Sequence, residues 1–230
     1  MIPTGADDLQ VYLQPTQFID SDSSEIIEYA RDVVGDAIKD INKAIKLYYA
    51  VRDGITYDPY RIDFHPTALK ASVVLAKGYG FCISKAVLLA ALARAEGIPS
   101  RLGFADVKNH LATERFRKLM QTDIFVYHGY TELFLEKRWV KATPAFNRSL
   151  CDRFEVSPLE FDGRNDSVFH EFDCKGNRHM EYVRDRGQFA DLPYDQMLEV
   201  IRKHHPALFS ERSTVIGGNF EQEALAEKKK

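Results

Sequence analysis

The chain has little of what marks several common protein classes. Its 3 cysteines in 230 residues are odd in number and too few for a disulfide framework, which excludes the small stapled secreted scaffolds. There is no surplus of basic charge. Lys and Arg number 31 against 34 Asp and Glu, a net charge of −3, so nucleic acid is not an expected partner. Nowhere do about eighteen apolar residues run together, so a membrane is not an expected partner either. The opening "MIPTGADDLQ" lacks the basic segment and apolar run of a secretory signal. What remains is a soluble, cytoplasmic protein with reduced thiols. At 45% hydrophobic and 28% charged residues, it is long enough for one sizeable core.

Helical signals fill the first half. Asp22 and Glu25 in "DSDSSEIIEYA" read as a capping box, and Gly35 as an interruption. From Asp36 to Arg52, Ile38, Ile41 and Ile45 recur at helical spacing, with Gly54 as a cap. "ITYDPYRIDFHPT" reads as an extended loop, followed by a short helix over 68–75. The run "CISKAVLLAALARAEG" predicts a helix from Cys82 with Val87, Leu88, Leu92 and Ala95 on one stripe and Gly97 as terminator. Strand signals follow: "SRLGFADV", then "DIFVYHGYTELFLEKRWVKATPAF" with "EKR" as a hairpin turn. Helices before strands give an α+β order. Residues 151–187 show few regular signals, and "LPYDQMLEVIRKHHP" reads as a late helix. The expected organisation is an N-terminal lead and helix over 1–35, one domain over 36–210 and a flexible charged tail over 211–230.

Chemistry centres on "GYGFCISK". Cys82 stands where a helix begins, beside N–H groups that lack intrahelical partners and at the positive end of the macrodipole. Both favour a thiolate, and Gly78 and Gly80 leave room for a substrate. The competing reading is a small hydrophobe packed under the helix. A nucleophilic cysteine needs a base, usually a histidine distant in sequence. His65 and His110 fall in loops, His170 and His179 in the irregular segment, and His204 and His205 at a helix end suited to a surface or capping role. His128 opens the strand "HGYTELFLEKRWV", where alternation places it with Tyr130 and Glu132 on one face.

Three blocks, "AIKLYYAVRDGITY", "GYGFCISKAVLLAALARAEGIPSRLG" and "HGYTELFLEKRWVKATP", resemble in order the core of the transglutaminase-like superfamily, over roughly residues 40–147. The resemblance implies a papain-like fold with the catalytic helix packed on an antiparallel sheet. It implies Cys82 as nucleophile, His128 as base, and an aspartate four residues after Trp139. That position holds Thr143, whose hydroxyl can orient an imidazole but supplies no charge. Asn147, Asp162 and Asp166 are the other candidates for the third member. The resemblance further implies acyl transfer without a cofactor, on a peptide, protein or small amide, and hydrolysis over crosslinking. The missing aspartate raises an alternative, a module that keeps the fold and binds a peptide or protein partner. A separate reading makes Cys151, His170, Cys174 and His179 a zinc site, although no close Cys-x-x-Cys pair supports it.

Overall fold

A computed structural model of the chain describes residues 9–109, 113–168, 180–209 and 219–227. Helix α1 (Ser24–Val34) starts one residue later than the capping box suggests. Ser23 is the cap, its hydroxyl accepting from Ile26 N–H, and Gly35 ends the helix at φ 56. The left-handed glycine breaks the helical run completely, so α2 spans Asp40–Gly54 rather than beginning at Asp36. Strand β1 (Thr56–Tyr57) precedes two short 3₁₀ turns and helix α3 (Ala71–Lys77). Gly78, at φ 67, lets the chain reverse into β2 (Tyr79–Gly80), which pairs in parallel with β1.

Helix α4 (Cys82–Ala95) forms the centre of the fold. Its residues from Ile83 to Arg94 are buried on every side, not along one stripe. A helix buried all round needs neighbours all round, and it has them in α1, α2 and α3 on one side and a sheet on the other. Gly97, at φ 77, turns the chain into β3 (Ser100–Asn109). Then come α5 (Glu114–Met120), β4 (Ile124–Leu135), β5 (Arg138–Ala142) and α6 (Arg148–Phe154). Strand β6 (Met180–Phe189), α7 (Tyr194–His204) and α8 (Phe220–Glu227) complete the described chain.

The main sheet runs β5-β4-β3-β6, antiparallel throughout. Its hairpin turn is two residues, Glu136 and Lys137, both at positive φ, and Arg138 already belongs to the ladder. β6 emerges from the stretch that lacks regular sequence signals. It is an edge strand on which Arg184 and Asp185 face water while Arg186 turns in to Asp106, so the apolar alternation that announces a half-buried strand is absent.

Two apolar clusters fill the interior. The larger joins α1–α4 to one face of the sheet. The smaller lies on the other side of β3, where Tyr60, Phe116, Phe146, Leu150, Met180 and Phe220 meet. Phe220 belongs to the stretch the sequence suggests is a flexible tail. Helix α8 instead places its ring 5.3 Å from Tyr60 and 5.8 Å from Phe116, while Glu223 pairs with Arg115 at 3.0 Å. Among the described residues, no helix is long and apolar enough to cross a membrane.

Candidate active site

Cys82 is the first residue of α4, and the turn before it is locked from within. Ser84 Oγ accepts from Phe81 N–H at 2.9 Å and donates to Phe81 O at 3.1 Å. Gly80 is needed there, because a Cβ at that position would lie 2.5 Å from Ser84 Oγ. The far wall of the site is β4. Gly129 lets that strand press against the helix start, since an added Cβ would meet the Ile83 Cα at 3.0 Å. The Cys82 thiol therefore lies within reach of backbone N–H groups of Gly129, Ile83 and Cys82 itself. Replacing Gly129 by alanine forces backbone against backbone. The expected result is a loss of roughly 1–3 kcal/mol of stability in urea unfolding, with slower alkylation of Cys82.

His128 precedes Gly129 and lines the same cavity as Cys82, with Phe81, Met120, Phe125 and Leu208 among the apolar neighbours. The cavity offers about 60 Å³, room for a few waters. Among the described residues, no Lys, Arg, Asp or Glu lines it. Burial dominates the electrostatics. It pushes the Cys82 thiol up to about 11, against the pull of the three backbone N–H groups. It also pulls His128, only 8% exposed, down to about 4. The sequence suggests a thiol lowered by the helix terminus. In the folded chain desolvation outweighs that effect, and near neutral pH both groups are uncharged.

The structure commits each candidate third member elsewhere. Thr143 is buried, and its hydroxyl donates to Val168 O at 3.2 Å. Asn147 is a clamp: Nδ2 donates to Arg52 O and Ile55 O, and Oδ1 accepts from Tyr57 N–H. Those two carbonyls, near the end of α2, also take the Nζ of the wholly buried Lys85. Asp162 accepts from Arg164 and Asn165 within its own exposed loop, which holds its carboxyl down to about 2. Asp166 accepts from Lys141 N–H at 2.9 Å.

Of the zinc candidates, His170, Cys174 and His179 lie outside the described residues. Cys151 is buried in α6, where burial raises its thiol to about 12. Among the described residues, no cluster of three His, Cys, Asp or Glu side chains could hold a metal.

The sequence suggests a surface or capping role for His205, and it does stand as the C-terminal cap of α7. The structure buries it to 2% exposure and sets it in the cavity wall. A usable signal existed: His205, just past the end of α7, continues at intervals of four the buried stripe of Met197 and Ile201. Asp106 and Arg186 were also missed. They form a nearly buried bidentate pair beside the base-bearing strand, with Nη2 to Oδ2 at 2.6 Å.

A central helix that carries a cysteine at its N-terminus, packed on an antiparallel sheet that carries a histidine, defines a papain-like α+β protein. The family model of the transglutaminase-like superfamily matches residues 27–144, and the chain belongs to that superfamily. Among solved structures it is similar to one provisionally named a cysteine protease, from Cytophaga hutchinsonii. The identity is 15% and the TM-score 0.47, over 81% of this chain and 55% of that one. A structure provisionally named a protease, from Parabacteroides distasonis, is 18% identical with a TM-score of 0.38, over 59% of this chain and 25% of that one. The chain thus spans about half of the first structure's length and a quarter of the second's. No curated protein matches it.

Proposed function

We propose that the protein is a cysteine acyl-transfer enzyme that hydrolyses an amide or peptide bond, with Cys82 as nucleophile and His128 as base. The observation that carries this reading is the single cavity lined by both side chains, at a helix start held against a strand by Gly129. With both groups neutral, attack and proton transfer are coupled. Sγ adds to the carbonyl carbon while its proton passes to the imidazole nitrogen. The oxyanion forms beside the N–H groups of the first turn of α4. The C–N bond then breaks, and the imidazolium gives its proton to the leaving amine. Water, deprotonated by His128, attacks the thioester and frees Cys82. No step needs a cofactor. The substrate is a peptide, protein or small amide, in the cytoplasm.

A peptide-binding descendant without catalysis is the second reading. Thr143, turned to Val168 where a triad would hold a carboxylate, favours it. One experiment separates the two. The protein is mixed with p-nitrophenyl acetate, quenched in acid and weighed by mass spectrometry, beside Cys82→Ala. An acetyl group on Cys82, released by hydroxylamine and absent from the variant, is the expected result. No thioester at Cys82 sinks the enzyme reading and leaves the binding module.

A further inference from the structure

Strand β4 holds one residue too many for its neighbour. Ala105 of β3 faces His128 and Val107 faces Phe125, so Val126 and Tyr127 together oppose Asp106. The ladder between β3 and β6 is also irregular on both sides of Ala105 and Asp106. This is a bulge, and because side chains alternate along a strand, one extra residue re-aims everything on one side of it. Tyr127 takes φ 58, the left-handed region, which a bulky side chain adopts only when its surroundings hold it there.

Asp106 does the holding. Its Oδ1 accepts from Tyr127 N–H at 3.1 Å. Arg186, from β6, donates Nε to the two carboxylate oxygens at 2.9 and 3.0 Å and Nη2 to Oδ2 at 2.6 Å. The guanidinium also lies 5.2 Å from the centroid of the Tyr127 ring. A buried ion pair seldom adds net stability over an apolar pair of equal volume. This one secures a costly backbone conformation at the residue directly before the base.

We infer that Asp106 is a positioning residue. Its carboxylate, steadied by Arg186, clamps the left-handed turn at Tyr127 and so fixes the direction in which β4 presents the His128 imidazole to Cys82. The inference rests on the reading of Cys82 and His128 as nucleophile and base.

Two double variants separate the clamp from the charge. Asp106→Asn with Arg186→Gln keeps an acceptor for Tyr127 N–H without charges. Asp106→Leu with Arg186→Met removes the acceptor and leaves no unpaired charge. Two readouts are taken: the rate at which Cys82 displaces iodide from iodoacetamide, and the NMR titration of the His128 ring.

The apolar pair is expected to slow alkylation by about tenfold to a hundredfold, as a misplaced group does. It should also move the His128 midpoint toward the ordinary 6.5. The amide pair should stay close to the parent in both. An apolar pair that matches the parent in both readouts overturns the inference. If the apolar pair does not fold, the amide pair decides alone: parent-like rates support the clamp, and a fall to the level of His128→Gln overturns it. Should His128→Gln leave the parent rate unchanged, the nucleophile–base reading itself has failed, a result distinct from failure of the clamp.

Discussion

Replacing His128 by glutamine lowers acyl transfer by on the order of 10⁴- to 10⁶-fold, the range seen when a catalytic base or its orienting partner is removed from a triad. The expectation is strong here because the thiol has no thiolate reserve. Burial holds Cys82 protonated up to about 11, so near pH 7 nucleophilic character depends on a base that takes the proton during attack. Glutamine fills a similar volume and hydrogen-bonds, yet accepts no proton. Thr143→Val provides the contrast. Its hydroxyl serves Val168 O, so it should cost about 1 kcal/mol of stability and change turnover less than about tenfold. The check is steady-state hydrolysis of an activated ester by the three proteins. Turnover by His128→Gln within tenfold of the parent defeats the assignment.

The second expectation concerns acid. His128 is held neutral down to about 4, whereas the unfolded chain protonates it near 6.5. Between these values the unfolded state binds a proton that the folded state refuses, so stability falls as the pH drops through that window. The gap is worth on the order of 3 kcal/mol, all of it lost by about pH 4 and none of it lost above about pH 7. Urea midpoints of the parent and of His128→Gln, compared between pH 4 and 7, isolate this contribution. His205 is lowered by burial as well, but it acts in both proteins and cancels in the difference. The parent should lose more stability on acidification than the variant does. Parallel curves would show that His128 is not buried as a neutral base.

The helix bearing Cys82 and the β4–β5 hairpin were legible because their signals are local. An Ala/Leu run between glycines and an alternating aromatic stretch need no distant partner to be read. The pairing of Cys82 with His128 came from the order of three blocks, not from either residue alone. The bulge at Val126 and Tyr127 was not legible, since an extra residue exists only relative to the strand it faces. β6 and α8 escaped for a related reason. Each is held mainly by what it packs or pairs against, and their own patterns are those of charged, exposed chain. The expected depression of the Cys82 thiol was wrong in sign because a helix terminus is visible in sequence and desolvation is not.

Cys82 and Tyr57 border both apolar clusters, so the cavity is a seam between them. The matched family region ends at residue 144 and supplies the thiol, the imidazole and most of the first cluster's packing. Much of the opposite wall arrives later in the chain, from Phe146, Met180, Ile201 and Leu208. The two groups proposed to react and much of the wall that faces them thus come from successive stretches of the same polypeptide. Substitutions in the later stretch can therefore reshape the space beside Cys82 and His128 without touching either group.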